Sequence, residues 1–96
     1  MCPRCQGFAE RIEITEPSDL YHRVDEIERI LTEGTLTSAG GNCLLSEIRP
    51  GRPWPGDVIE HAFRCVVCGQ RFELVVDTYD TYHGGGYWAA ANERST

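Results

Sequence analysis

The stretch Cys65-Val-Val-Cys68-Gly69 decides the fold of this chain, because it repeats the Cys-x-x-Cys pattern of Cys2-Pro-Arg-Cys5. Each pair puts two sulfur atoms on one tight turn, where both can bind a single ion. Gly69 suits such a turn because glycine adopts positive φ without strain. Two such pairs are the ligand set of a closed tetrahedral zinc site. They therefore predict that a metal fastens the start of the chain to its last third.

Other chemistries share part of this pattern. A rubredoxin-like iron centre uses the same four cysteines. A redox-active pair sits at a helix N-terminus, whereas both pairs here are expected to adjoin strands. A zinc deaminase needs a His-x-Glu segment and a proline before the Cys-x-x-Cys pair, and the chain has neither. We expect one structural zinc ion, since four thiolates leave no open position for catalysis.

Length and charge narrow the class of protein. A chain of 96 residues predicts one domain, residues 1–96. It has no apolar run of membrane-spanning length and no signal pattern at its start, so a cytoplasmic location is expected. The formal net charge is −6, and four thiolates with one divalent ion would add two negative charges. This balance disfavours a phosphate backbone as partner and suits a basic protein.

A helix is predicted from about Asp19 to Glu33, with Ser18 as its N-cap and Gly34 at its end. Apolar residues within it recur at spacings of four, three and four, which makes one stripe for packing on a core. These residues are Leu20, Val24, Ile27 and Leu31.

Alternating apolar residues predict strands on either side of this helix. A loop or short helical turn is expected at Cys43–Ile48, and residues 89–96 are expected to fray. The second cysteine pair then lies at the tip of an antiparallel hairpin. The fold class is α+β, with an antiparallel sheet of three or four strands and one helix packed on a face. The predicted strands are Phe8–Ile14, Val58–Arg64 and Gln70–Thr78, and the candidates for a further strand are Thr35–Ala39 and a segment of the tail.

Cys43 and the histidines offer little sign of catalysis. Cys43 is expected to be a small buried residue, with a replacement ligand or a reactive thiol as alternatives. His61 shares parity with Ile59 and Phe63 and should point inward, whereas His22 and His83 are expected at the surface. An enzyme acting through His61 or His83 ranks last among the functions considered.

Aromatic and polar residues in two loop segments predict a partner surface. Trp, Tyr and Arg are enriched at interface hot spots, although these aromatics could instead cover a small core from outside. The candidate partner-binding residues are Arg52, Trp54, Asp57, Tyr79, Tyr82, His83, Tyr87 and Trp88.

The two cysteine pairs and their flanking strands resemble the zinc-ribbon group of folds, over about a third of the chain. The 59 residues between the pairs are long for a ribbon. Together with the opening Cys-Pro-x-Cys knuckle, four further segments resemble short bacterial proteins of unknown or immunity-like type. They are Gly41–Pro55, His61–Cys65, Gly69–Leu74 and Tyr82-His-Gly-Gly85.

That resemblance implies a cytosolic zinc module that binds and neutralises a basic toxin domain, and it implies no catalytic residue. Nucleic-acid binding, a common use of zinc ribbons, is the alternative. It would need a basic patch, for which Arg49, Arg52, Arg64 and Arg71 are the candidates.

Overall fold

The computed structural model describes residues 2–51, 53–54, 56, 58–77 and 85–91. The fold is α+β, and its sheet has five antiparallel strands in the order β1-β5-β4-β3-β2, one or two more than predicted. The elements are α1 (Pro3–Gln6), β1 (Ile12–Ile14), α2 (Pro17–Glu33), β2 (Leu36–Gly41), a 3-10 turn (Leu45–Glu47), β3 (Val58–Cys65), β4 (Arg71–Asp77) and β5 (Gly86–Ala91).

Helix α2 begins two residues earlier than predicted, because its cap is Glu16 rather than Ser18. Pro17 occupies the first helical position, where its missing N–H costs nothing. The Asp19 carboxylate accepts hydrogen bonds from the backbone N–H groups of Thr15 and Glu16, at 3.1 and 3.2 Å. The helix ends at Gly34, whose φ of 88° is left-handed, as the sequence predicts.

The apolar stripe of α2 packs on one face of the sheet. Three of its four predicted residues are fully buried, but Ile30 takes the core position in the last turn and Leu31 is half-buried. The other three buried residues are Leu20, Val24 and Ile27.

The predicted hairpin is formed by β3 and β4, in a register that runs from Val58 opposite Asp77 to Arg64 opposite Arg71. Side chains alternate between the two faces of the sheet, and His61 points inward as expected, with 8% exposure. The second cysteine pair starts at the last residue of β3 and lies at the hairpin tip.

The tail supplies a central strand. β5 lies between β4 and β1, with Trp88 opposite Leu74 on one side and Ile12 on the other. Trp88 is 0% exposed, so the expectation that it belongs to a partner surface is corrected: its ring is part of the core. Residues 89–91 belong to β5 and are not frayed. By contrast, β1 is shorter than predicted.

Strand β2 lies at one edge of the sheet. It continues through Gly40 and Gly41, beyond the predicted end at Ala39, and its register against β3 shifts between Ser38 and Gly40. Such an irregularity bends an edge strand and disfavours pairing with another chain.

Within the part of the chain that the structure describes, no helix is long and apolar enough to cross a membrane. Helix α2 covers the face of the sheet that carries Phe63, Leu74 and Trp88. The opposite face, here called the outer face, carries Ala62, Glu73, Val75, Tyr87 and Ala89, all partly exposed.

Candidate metal centre

The four cysteines of the two pairs converge on one point. The sulfur atoms of Cys2, Cys5, Cys65 and Cys68 all lie within 4.8 Å of one another. The Sγ–Sγ distances are 3.8 Å from Cys2 to Cys5, 3.6 Å from Cys2 to Cys65 and 3.6 Å from Cys5 to Cys68. A tetrahedral ion with metal–sulfur bonds of about 2.3 Å has edges of about 3.8 Å. The cluster therefore fits a metal ion held by four thiolates.

The first pair is shaped by α1, a single helical turn. The backbone N–H groups of Cys5 and Gln6 donate to the carbonyl oxygen of Cys2, at 3.3 and 3.1 Å. Pro3 suits the first position of this turn. The turn brings the Cys5 sulfur into the core and leaves Cys2 half-buried.

The second pair closes the β3–β4 hairpin. The Cys65 N–H donates to the carbonyl of Gln70, and the Gly69 N–H donates back to the carbonyl of Cys65, both at 2.9 Å. Gly69 has φ of 81°, which confirms the need for glycine there. The N–H of Val67 points at the Cys65 sulfur at 3.4 Å, a contact that favours a thiolate.

Both pairs are anchored near Thr35, a buried residue between α2 and β2. The Val66 N–H donates to the Thr35 carbonyl at 3.0 Å. The Arg4 guanidinium, inside the first pair, donates to the Thr35 hydroxyl at 3.5 Å. Part of the long segment between the two cysteine pairs thus contacts both pairs and stabilises the four-cysteine centre.

The thiols differ in how readily they ionise. Hydrogen bonding from the backbone of Gln70 and of Cys2 lowers the pKa of Cys68, the exposed member, to about 6. Burial acts to raise the pKa of Cys65, but bonds from the Cys68 and Val67 backbone outweigh it and the net shift is downward. Burial raises the pKa of Cys5 to about 12. A thiolate at Cys5 therefore needs a cation beside it, which a bound metal would supply.

Cys43 is not part of this cluster. It is half-buried, and its sulfur lies 3.4 Å from Nε2 of His61. Burial, followed by the nearby charge of Glu47, raises the pKa of the Cys43 thiol. Burial lowers the pKa of His61. Cys43 and His61 are 18 residues apart in the chain, and the inward parity of His61 is the one sequence signal for their contact.

The structure separates the predicted partner residues. Trp54 is half-buried and stacks on Tyr21 of α2, with ring centroids 5.8 Å apart. Tyr87 lies on the outer face, partly exposed. Trp88 is in the core, on the opposite face. The other predicted residues lie outside the described part of the chain: Arg52, Asp57, Tyr79, Tyr82 and His83.

A hollow of about 460 Å³ on the outer face has acidic walls. Glu60 and Glu73 line it, together with Val75 and Tyr87. The Tyr87 hydroxyl donates to a Glu73 carboxylate oxygen at 2.7 Å, and the Arg11 guanidinium lies 4.3 Å from the centre of the Tyr87 ring. The bond to Glu73 raises the pKa of Tyr87. Sequence reasoning selected Tyr87 but missed both glutamates.

Of the arginines proposed for a nucleic-acid patch, the structure brings together two, Arg64 and Arg71, and pairs Arg49 with a carboxylate. Arg49 donates to both carboxylate oxygens of Glu28 on α2, at 2.8 and 3.0 Å. Arg64 and Arg71 face each other across β3 and β4 on the outer face. Arg52 lies outside the described residues.

Comparison with protein-family models, curated proteins and solved structures finds no match for this chain. The function therefore has to be argued from the geometry.

Proposed function

We propose that this chain is a non-enzymatic, zinc-stabilised module that binds a basic protein partner through the outer face of its sheet. The observation that carries the proposal is the acidic hollow beside Tyr87, on the face that α2 leaves uncovered. The metal holds the fold, and the hollow provides recognition.

Zinc is the ion that we assign to the four-cysteine centre, in a zinc-ribbon-like arrangement of two knuckles. Its preferred coordination by thiolates is tetrahedral, and the observed sulfur separations match that geometry. With all four positions taken by sulfur, the ion would have none left for a substrate. A reducing compartment such as the cytoplasm would keep the five cysteines as thiols.

The hollow suits the side chain of a lysine or arginine. Glu60 and Glu73 would pair with its charge, beside the Tyr87 ring over which Arg11 already lies. Val75 provides an apolar wall for the methylene groups of such a side chain. The acidic charge of the whole chain would speed the approach of a basic partner.

A toxin-neutralising immunity protein is the more specific form of this proposal. It rests on the sequence resemblance and on the acidic charge. In that form the outer face would cover a basic cleft on the toxin domain, with one inhibitor bound to one toxin.

The experiment is an NMR titration of the zinc-loaded protein with the blocked peptide Gly-Arg-Gly, with Gly-Gln-Gly as the neutral comparison. Amide shifts are expected at Glu60, Ala62, Glu73, Val75 and Tyr87 with the arginine peptide alone. The E60Q/E73Q double variant should lose them. The matched control E33Q, at the end of α2, should keep them. Shifts scattered over the surface, or equal shifts with both peptides, would reject the hollow as a cation site.

The same variants test the partner surface once a natural partner is purified. Removal of both carboxylates should weaken binding by about 10-fold or more, with a smaller dependence on salt. If a partner binds the double variant as tightly as the wild type, the outer face is not its binding site.

A further inference from the structure

A second polar cluster lies on the helix side of the sheet and shares His61 with the border of the acidic hollow. Cys43 follows β2, His61 lies in β3, and a cleft of about 710 Å³ opens between these residues and α2. We propose that Cys43 and His61 form a thiol–imidazole pair that reacts with neutral, apolar α,β-unsaturated carbonyl compounds bound in this cleft.

The geometry of the pair places a base against the thiol. The separation of 3.4 Å between Cys43 Sγ and His61 Nε2 is a sulfur–nitrogen hydrogen-bond distance. His61 is 8% exposed, so few other orientations are open to its ring. When Nδ1 carries the ring proton, Nε2 is free to accept the proton of the thiol.

Gly41 makes room for this imidazole. A Cβ atom at position 41 would lie 2.5 Å from Nδ1 of His61 and 2.7 Å from its Cε1 atom. Gly41 lies opposite His61 in the register of β2 and β3. A glycine there allows the ring to sit against the edge strand, next to the thiol.

The charge state of the pair defines its chemistry. Burial and Glu47 hold the Cys43 thiol in its neutral form, and burial keeps the imidazole neutral. Such a thiol is not ionised in advance, and needs a base that accepts its proton during the attack. His61 is placed to be that base.

The lining of the cleft defines the class of reagent. Leu31, Leu44, Leu45 and Phe63 supply apolar walls, and Leu44 is 65% exposed at the surface. The charged groups around the pair are mainly acidic. They are Glu47 beside Cys43, Glu60 and Glu73 in the hollow that His61 also borders, and Glu28, whose charge is paired with Arg49. Carboxylates disfavour an anionic reagent, whereas a neutral apolar chain gains from the leucine walls.

The reaction is an addition in which nothing leaves. The Cys43 sulfur forms a bond to the β-carbon of the unsaturated carbonyl, while the thiol proton moves to His61 Nε2. The electron pair of the carbon–carbon double bond moves into the bond between the α-carbon and the carbonyl carbon, and the carbonyl π pair moves to oxygen, which gives an enolate. The imidazolium then returns the proton to the α-carbon. The product is a thioether, and no oxidant or cofactor is consumed.

The test uses the zinc-loaded full chain with trans-2-nonenal, followed by intact mass and peptide mapping. One adduct is expected, on Cys43, formed at least about tenfold faster than on glutathione at pH 7. The H61Q variant should react at the rate of glutathione, and C43S should form no adduct. Zinc content and circular dichroism establish that both variants are folded.

The wild-type pH profile gives a readout that does not depend on a variant. If His61 accepts the proton, the rate should change less than about twofold between pH 7 and 8, because the imidazole is already neutral there. If the thiol reacted only after simple ionisation, the reaction rate would rise about tenfold over the same pH unit. Three results would overturn the proposal. They are a tenfold rise of the wild-type rate between pH 7 and 8, an H61Q rate equal to that of the wild type, and labelling of Cys43 that is faster with the anion iodoacetate than with the neutral nonenal.

Discussion

The indole Nε1 of Trp88 donates a hydrogen bond of 2.8 Å to the carbonyl oxygen of Phe8. This bond joins β5 to the segment that follows the first cysteine pair. The rings add to the link, since Phe72 stacks on Trp88 at 5.4 Å and contacts Phe8 at 5.4 Å. The N-terminal knuckle is thus held by the core as well as by its sulfur atoms.

Replacement of Trp88 by phenylalanine should lower the free energy of unfolding by about 2–4 kcal/mol. The smaller ring leaves a cavity, and the Phe8 carbonyl loses its donor in a partly buried site. Urea unfolding of the zinc-loaded protein measures the change. The control is W54F, where the ring is half-buried on α2 and the expected loss is below about 1 kcal/mol. Equal losses in both variants would show that the bond to Phe8 contributes little.

Removal of the metal should unfold the chain. The buried thiol of Cys5 and the exposed thiol of Cys68 would share one bound ion, and the binding free energy of structural zinc is folding free energy. Treatment with a chelator should abolish the circular dichroism signal of the folded sheet, and added zinc should restore it.

Serine substitutions distinguish the four cysteines of the metal centre from Cys43, the thiol outside it. C68S is expected to retain less than about half a zinc ion per chain, because one thiolate of the closed site is lost. C43S should retain a full ion, since Cys43 lies outside the cluster. Elemental analysis of both proteins is the measurement. If the protein stays folded after a chelator has removed the ion, the ion has no structural role.

The hairpin and its knuckle could be predicted because their signals are local. Val58 to Cys65 and Arg71 to Asp77 alternate strictly, and the Cys-x-x-Cys-Gly turn joins them over five residues. Helix α2 was predictable for the same reason. The helix begins two residues before the predicted start. Asp19 favours the helix dipole, but its carboxylate also accepts a hydrogen bond from the backbone N–H of Glu16, so that Glu16 becomes the N-cap.

The position of β5 could not be predicted, because it depends on pairing across the chain. Tyr87 and Trp88 are aromatic neighbours in sequence, so the sequence pattern predicts the same partner-binding role for both. The pleat of β5 sends Trp88 into the core and Tyr87 to the outer face. The partnership of Cys43 with His61 also follows from the register of β2 and β3, which the sequence pattern does not specify.

The ionisation of Tyr87 should report the state of the acidic hollow. Its pKa is raised above the ordinary value near 10, chiefly by the bond to Glu73. This bond favours the folded state below pH 10, and its contribution disappears as the pH rises through the raised pKa.

The E73Q variant should therefore lower the pKa of Tyr87 toward its ordinary value, as followed by NMR of the labelled ring between pH 8 and 12. E60Q removes a nearby negative charge without removing the hydrogen bond, so it should give a smaller decrease. A larger effect of E60Q than of E73Q would mean that charge alone, and not the hydrogen bond, controls the hydroxyl.

Gly86 is a position where a single methyl group should disturb the backbone of the sheet. A Cβ atom there would lie 2.8 Å from the Val76 side chain and 2.9 Å from the carbonyl oxygen of Val75. The backbone oxygen cannot move without breaking the β4–β5 ladder, in which Val76 lies opposite Gly86. Gly86→Ala should lower the free energy of unfolding by about 1–3 kcal/mol.

Gly7→Ala is the matched control for this substitution. Gly7 has φ of −68°, and a Cβ atom there would meet nothing within 4 Å. Alanine at position 7 should be neutral or slightly stabilising, because it restricts the unfolded chain. Hydrogen exchange adds a local readout, since G86A should speed exchange in β4 and β5 but not in α2. Uniform loss of protection in both variants would show that the crowding at Gly86 is not what destabilises the sheet.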